Sequence, residues 1–288
     1  MNIHYFLLSL IVFLTLPSFS PFGYDGSYVD ISFAEDFFLV YMNREASGKR
    51  IKAKYFSAND PFSGASVADR YNDWRIGKNI ICATSGAYMD KDDVARPEGL
   101  CVDNGIIVNQ MVGDYDALVI VYATGGIVVS DLKNADLSLD GNGMSGQTLD
   151  VRGGSFDKKA FLTWSEKAQA TVFQTHLLVY KDKNQVSQFN SSPERRERRF
   201  LVGGIDEDGQ LVHIIIHMPE SNSLYTATEK AMKILYFKDM RGITFMINLD
   251  TGMQNVFETF KPDGSRYPDI EGTEPLSTAV NLLAYYYD

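Results

Sequence analysis

The sequence predicts an α+β fold, in which a mixed, mostly antiparallel β-sheet core carries a few covering helices within a single domain. Short apolar runs of strand length recur through the chain, from "YVDISF" to "GGIVVSDL", whereas only three stretches have helical spacing. The 288 residues are 45% apolar and 22% charged, which is a globular balance with enough apolar residues for a substantial core. We place the domain at residues 28–288.

Turn-forming and helix-capping residues set the boundaries of the predicted strands and helices. Asn104-Gly105 separates "GLCVD" from "IIVNQ", and Asn-Gly between two apolar runs is a strong hairpin signal. The stretch 136–156 is rich in Gly, Ser and Asp, so we expect a long surface loop there. Helices are predicted in "SGASVADRYNDWR", capped by Ser63 or Ser66, in "SFDKKAFLTWSEKAQ", which begins with Ser155, and in "SLYTATEKAMKILYFK".

The charge balance excludes one large class of partner. The 37 acids exceed the 27 bases, and the resulting formal charge of −10 is spread along the chain. A phosphate backbone would be repelled by such a surface except at a local basic patch. Nucleic acid is therefore not an expected partner.

The N-terminus has the pattern of an export signal. Residues 1–20 contain an apolar run from Tyr5 to Leu16, which is short for a membrane span but suits the apolar segment of a signal peptide. A buried N-terminal helix or an uncut anchor is the alternative. We expect an exported protein, periplasmic, extracellular or at the cell surface, with no stable membrane span after the signal is removed.

Two cysteines, Cys82 and Cys101, are the only ones in the chain. Export would favour a disulfide between them, and such a bridge would close a loop of about twenty residues and stabilise the fold by roughly 3 kcal/mol. Two buried free thiols are the alternative, because cysteine is among the most buried residue types.

The order of motifs in the C-terminal half resembles the phosphodiester glycosidase family. In that family an Arg opens a strand ending in Gly, a Thr-x-x-Glu-x-Ala helix follows, and the next strand ends in Asn-Leu-Asp-Gly-Gly-Gly-Ser. The corresponding segments here are 199–203, 226–231 and 248–250. Upstream, "ATSGAYMD" is similar to the family's Asn-Gly-Gly-Phe-Phe turn and "RPEGLCVDNGIIV" to its Pro-x-Gly-Leu hairpin.

The resemblance implies an enzyme that cleaves a sugar from a phosphate, with a carbohydrate or sugar-phosphate ligand, no cofactor and no metal. The sequence departs from the family where Thr84 and Ala87 replace an Asn and an aromatic residue, and where Thr251, Met253 and Gln254 follow the strand in place of Gly and Ser. Glycines in such turns allow a ligand to approach the backbone closely. A glycan-binding or scaffold protein that has lost turnover is therefore the alternative function.

The chemistry requires two carboxyl groups and a phosphate-binding cation. The resemblance assigns Asp250 and Glu98 as catalytic carboxylates and Arg199 as the phosphate clamp. Asp250 could instead be an ordinary turn residue after a strand, Glu98 a solvated hairpin acid, and Arg199 part of the solvated charge run "ERRERRF". Asn248, Gly86, Gly252 and His217 complete the expected substrate-binding residues, although a histidine at a strand end is more often a packing residue.

Thr226 and Glu229 have a second interpretation. Their spacing is that of a capping box, in which the Thr accepts a bond from a backbone N–H and the Glu returns one. We expect a structural role for both residues at the start of the third helix.

Overall fold

Three antiparallel sheets meet around one apolar core. The computed structural model describes residues 24–48, 50–57, 63–135, 137–139, 147–189, 193–252 and 254–288, so the predicted signal peptide at 1–20 lies outside the described residues. The strands are β1 (Val29–Phe33), β2 (Phe38–Asn43), β3 (Ile51–Phe56), β4 (Asn79–Thr84), β5 (Cys101–Asp103), β6 (Ile106–Asn109), β7 (Ala117–Val121), β8 (Ile127–Asp131), β9 (Leu137–Leu139), β10 (Gln147–Leu149), β11 (Thr171–Thr175), β12 (Leu177–Tyr180), β13 (Lys183–Asn184), β14 (Arg196–Asp206), β15 (Leu211–Asn222), β16 (Met240–Leu249), β17 (Phe257–Phe260), β18 (Arg266–Glu271) and β19 (Leu282–Tyr287).

The largest sheet has seven strands in the order β1-β2-β15-β14-β16-β12-β13. Two five-stranded sheets have the orders β6-β5-β11-β7-β8 and β18-β17-β4-β19-β3, and β9 pairs with β10. All pairings between these strands are antiparallel. The predicted α+β class with a largely antiparallel core in a single domain is confirmed.

Each helix covers the outer face of a different sheet. Helix α1 (Val67–Trp74) packs against β3, β4 and β19, α2 (Ser155–Lys167) against β5, β7 and β11, and α3 (Leu224–Phe237) against β14, β15 and β16. The inner faces of all three sheets form the central core. The sequence of β16 is continuously apolar because both faces of the strand are buried: Ile247 faces the central core and Met246 faces α3. Among the described residues, no helix combines the length and apolarity that a bilayer crossing requires.

Local signals placed most helix and turn boundaries correctly. Ser66 caps α1 by accepting a bond from the Asp69 N–H, and Asn104-Gly105 forms the turn between β5 and β6 with φ of 49° and 81°. The loop predicted at 136–156 is wrong in part, because β9 and β10 form a short ladder. Their leucines, Leu137, Leu139 and Leu149, are buried beneath α2.

The capping box predicted for Thr226 and Glu229 is wrong. Helix α3 begins three residues earlier than that interpretation requires, and Ser223 is its cap, accepting the Thr226 N–H at 3.1 Å. Glu229 accepts a bond from Asn184 Nδ2 at 2.9 Å and so connects the helix to β13. The Ser223 hydroxyl also donates to the Thr226 hydroxyl, so Thr226 belongs to the cap as its partner.

The predicted disulfide is also wrong. Cys82 and Cys101 are free and buried, on strands that belong to different five-stranded sheets. The Cys101 thiol contacts the Ser57 hydroxyl at 3.1 Å. Burial raises the pKa of both thiols to about 12, which keeps them protonated and unreactive.

Candidate active site

The end of β16 is fixed to two other segments of the chain. The Asn248 N–H donates to the carbonyl of His176 at 3.1 Å, and the Asp250 N–H donates to the carbonyl of Gly86 at 3.0 Å. Gly86 belongs to the turn after β4, and His176 lies between β11 and β12. The strand end that carries Asp250 is thus bonded to the same upstream turn that the sequence motifs singled out.

A cavity of about 450 Å³ opens beside this strand end. Asp250, Glu98 and Gly252, three of the residues selected from the sequence, line it together. Its other lining residues include three aromatic side chains and both signs of charge: Tyr88, Met89, Asp90, Lys91, Val94, Tyr115, His176, Glu194, Arg196, Arg198 and Leu224.

Asp250 is both a turn residue and a cavity residue. Its Oδ1 accepts the Gly252 N–H at 2.8 Å, which is the local bond expected of an aspartate after a strand. Only 3% of the residue is exposed, and burial raises the pKa of its carboxyl, against the opposing effects of that hydrogen bond and of the charges on Arg199 and Arg196. The environment therefore favours the protonated acid more than water does.

Glu98 is the second carboxylate of the cavity. Its backbone N–H donates to the carbonyl of Tyr88 at 2.7 Å, and its Oε2 accepts the hydroxyl of Tyr115 at 2.6 Å. These bonds hold both the main chain and the carboxylate of Glu98. The residue is half-buried, so it can meet a ligand while remaining oriented by the tyrosine.

Three aromatic rings pack together in the cavity wall. Tyr88 and Tyr115 are stacked with their centroids 5.1 Å apart, and His176 meets both rings edge-on at 5.6 and 4.8 Å. Burial, followed by the charge of Arg198, lowers the pKa of His176, so the imidazole is neutral at physiological pH. Sequence analysis missed Tyr115 and His176, because neither lies in a motif.

The guanidinium groups of the cavity come from one face of β14. Side chains alternate along a strand, and Arg196 and Arg198 point to the cavity. Arg198 is 5% exposed and donates through Nε to the Asn222 carbonyl at 3.1 Å and through Nη2 to the Glu194 carbonyl at 2.8 Å. Arg196 forms an ion pair with the carboxylate of Glu194.

The opposite face of β14 carries Arg199 into the interior. Its side chain is fully buried, donates to Thr84 Oγ1 at 3.1 Å and Asn255 Oδ1 at 2.7 Å, and lies 3.4 Å from Glu197 Oε1. His217 is in the same cluster, with Nε2 3.4 Å from Glu197 Oε1, and burial lowers its pKa to about 2. The structure therefore does not bring Arg199 or His217 to the cavity, and Arg199 is not part of a solvated face either.

The remaining selected residues divide between support and lining. Asn248 donates from Nδ2 to the Tyr88 hydroxyl and is itself buried, so it contacts a cavity residue without lining the cavity. A Cβ added to Gly86 would lie 2.7 Å from Tyr55 Cε2, which makes close packing the reason for that glycine. A Cβ added to Gly252 would lie 3.1 Å from Asp250 Oδ1 and 3.4 Å from Arg196 Nη1, so this glycine leaves room between an acid and a base.

Within the ranges that the structure describes, no three His, Cys, Asp or Glu residues are grouped as metal ligands are.

No family model and no curated protein sequence matches the chain. Among solved structures it is similar to the catalytic domain of zebrafish N-acetylglucosamine-1-phosphodiester alpha-N-acetylglucosaminidase auto-inhibited by its pro-peptide, at 14% identity and a TM-score of 0.49, covering 90% of this chain and 82% of that one. It is also similar to a hypothetical protein from Synechocystis, at 10% identity and a TM-score of 0.45, covering 90% of this chain and 61% of that one.

Proposed function

We propose that this chain is a hydrolase that cleaves a glycosyl phosphodiester or a related glycan linkage, with the 450 Å³ cavity as its active site. One observation carries the proposal. Asp250 and Glu98, which are far apart in sequence, line a single cavity together with Arg196 and Arg198. A carboxyl pair beside guanidinium groups is the combination that removal of a sugar from a phosphate requires.

The two carboxyl groups have different environments and take different roles. Asp250, whose pKa burial raises, supplies the proton to the leaving oxygen. Glu98, oriented by the Tyr115 hydroxyl, acts as the nucleophile or as the base that activates water. As the bond from the anomeric carbon to the phosphate oxygen breaks, that oxygen takes the proton of Asp250, and the oxocarbenium-like carbon forms its new bond to Glu98 or to the water that Glu98 activates.

Arg198 and Arg196 bind the phosphate in this mechanism. A guanidinium offers its donors in a planar fork that suits phosphate oxygens. Arg198 donates to two carbonyl oxygens, which orient the side chain without cancelling its charge. The rings of Tyr88 and Tyr115, which stack on each other, add apolar surface to the cavity wall that a sugar can contact.

Export through the segment at 1–20 and a domain boundary at residue 28 remain part of this proposal. The apolar run from Tyr5 to Leu16 supports export, since its length fits a signal peptide. Glycosyl phosphates of surface and secreted glycans would be accessible to a protein in that location.

A glycan-binding protein without turnover is the second candidate. The bond from the Gly252 N–H to Asp250 Oδ1 favours it, because this bond gives the acid a structural role that needs no catalysis. The two functions differ in what happens to a bound ligand and can be separated in one set of samples.

The test is a panel of glycosyl phosphodiesters, assayed for released sugar and phosphomonoester and, in parallel, for binding by calorimetry. We expect the wild-type protein to turn over at least one member, and Asp250→Asn and Glu98→Gln to lower kcat by about 10²- to 10⁴-fold, the usual contribution of acid–base groups. Asp263→Asn, on an exposed turn, is the matched control and should leave kcat unchanged. Binding without any turnover would establish the second candidate, and neither binding nor turnover would reject both.

A further inference from the structure

A second cavity, of about 290 Å³, lies away from the candidate active site. It is found where the turn between β7 and β8 meets β14, β15 and β16, and Gly203 is one of its lining residues. Gly203 follows Arg198 by five residues on β14, which corresponds to roughly 17 Å along a strand. The two cavities are therefore separate sites on one sheet.

Arg44 brings a buried positive charge to this second cavity. The residue is 7% exposed, and its guanidinium donates through Nε to the Ile51 carbonyl at 3.1 Å and through Nη2 to the Gly125 carbonyl at 2.7 Å. Both acceptors are uncharged, and no acidic residue is found among the described residues that line the cavity. Burial lowers the pKa of Arg44, as expected for a cation whose water has not been replaced by a counter-charge.

His213 adds a second donor beside Arg44. The Arg44 Nη1 lies 3.3 Å from His213 Nδ1, and the Tyr285 hydroxyl lies 2.7 Å from the same atom. A guanidinium nitrogen can only donate, so Nδ1 is the acceptor and the ring proton is on Nε2. Burial and the charge of Arg44 lower the pKa of His213 well below its ordinary value, which keeps the ring neutral. Within the described part of the chain, the hydrogen bonds of the His213 ring are made by Nδ1 and none by Nε2.

The rest of the lining combines hydroxyl groups with apolar side chains. Thr124 and Thr244 carry the hydroxyls, and Ile127, Leu211 and Phe245 form the apolar wall. Fully hydrated anions fit such a wall poorly, whereas an anion with a short apolar body would satisfy both halves of the lining. The volume of about 290 Å³ lies just below the usual range for small-molecule sites, about 300–1,000 Å³, so the ligand must be small.

We propose that this second cavity binds a small organic carboxylate with a short branched or aromatic body. The carboxylate accepts from the Arg44 guanidinium and from His213 Nε2, and the body packs against Leu211 and Ile127. Arg44 thereby gains a negative partner, which its hydrogen-bond partners among the described residues do not supply. The chain as a whole is negative, so the attraction is local to Arg44.

Isovalerate is a suitable probe, with isoamyl alcohol as an uncharged ligand of the same carbon skeleton and inorganic phosphate as an anion without an apolar body. Calorimetry and thermal unfolding of the full chain should show saturable binding of isovalerate and binding of the other two at least tenfold weaker. Arg44→Met should lower isovalerate affinity at least tenfold. Arg50→Met, at an exposed neighbouring arginine, is the matched control and should leave it unchanged.

A second variant tests the cavity without removing the buried Arg44, so the result does not depend on whether Arg44→Met folds. Leu211→Trp fills the cavity from its rim, where Leu211 is 37% exposed, and keeps Arg44 in place. It should also lower isovalerate affinity at least tenfold, whereas Asp250→Asn at the other cavity should not alter it. Absence of saturable isovalerate binding, equal binding of isoamyl alcohol, or full affinity in Leu211→Trp would each overturn the proposal, whatever the result at the candidate active site.

Discussion

Replacing Asp250 with Asn separates the two roles that the structure gives this residue. Asn keeps an Oδ1 acceptor for the Gly252 N–H, so the turn bond at 2.8 Å is retained, while the charge is removed. Ala removes both. Loss of a single intramolecular hydrogen bond costs about 1 kcal/mol, so Asp250→Ala should be less stable than Asp250→Asn by about that amount at every pH.

The pH dependence of the Asn variant follows from the raised pKa of Asp250. A carboxyl whose pKa is higher in the folded protein than its unfolded value of 3.8 binds a proton more tightly when folded. Its stabilising contribution is complete below pH 3.8 and is lost as the pH rises through the folded pKa. A difference of one between the folded and unfolded pKa corresponds to about 1.4 kcal/mol. Above the folded pKa, the free energy of unfolding of Asp250→Asn should therefore exceed that of the wild type in proportion to this difference.

Urea denaturation at several pH values between 3 and 7 measures this difference. We expect the free energies of unfolding of wild type and Asp250→Asn to be similar at pH 3 and to diverge as the pH rises, with the variant more stable at pH 7. The reasoning about Asp250 is refuted if the difference is independent of pH, or if Asp250→Asn is as destabilised as Asp250→Ala at pH 7.

Three further predictions test the assignments around the site and the fold. Arg198→Met should raise KM for a phosphodiester at least tenfold and leave KM for a neutral glycoside unchanged. Arg199→Met leaves Glu197 without its buried partner, so it should lower the free energy of unfolding in urea by about 3 kcal/mol or more. Equal effects of the two variants on KM would contradict the alternation of side chains on β14. Ser223→Ala should lower the free energy of unfolding by about 1 kcal/mol because the α3 cap is lost, and Glu229→Ala should lower it by less. A larger loss in Glu229→Ala than in Ser223→Ala would support the capping box of Thr226 and Glu229 instead. Both thiols should resist iodoacetamide in the native protein and react without reductant after denaturation, as mass spectrometry can establish, and a mass consistent with a bridge would contradict the structure.

The fold was predictable where the signal is local. Asn104-Gly105 adopts positive φ at both positions, which few other dipeptides tolerate, so the hairpin could be recognised from two residues. Ser66 similarly marks the start of α1, because a serine before an amphipathic segment satisfies an orphan N–H. The apolar leucines of β9 and β10 were missed because the surrounding Gly, Ser and Asp residues suggested a loop.

Long-range pairings could not be predicted in the same way. Only 18 residues separate Cys82 from Cys101, which suggests proximity. Their strands nevertheless belong to different sheets, and nothing local to either cysteine specifies that separation. The site shows the same limit. Tyr115 and His176 reach the cavity because β7 and β11 are neighbours in one sheet, which is a property of strand order and not of the segments that carry the two residues.

Within the charge run "ERRERRF", similar side chains lie in two different environments because they are on opposite faces of β14. Because alternate side chains point to opposite faces, Arg196 and Arg198 reach the cavity while Glu197 and Arg199 turn inward. The inward pair requires a partner for each charge, and Glu197, Asn255 and Thr84 surround Arg199 accordingly. On the other face, Arg196 is paired with Glu194 and Arg198 donates to two carbonyl oxygens, and both guanidinium groups line the cavity, where a ligand can meet them. A shift of one residue in the register of β14 would exchange these roles, so the buried Arg199 cluster fixes the register that presents Arg196 and Arg198 to a ligand.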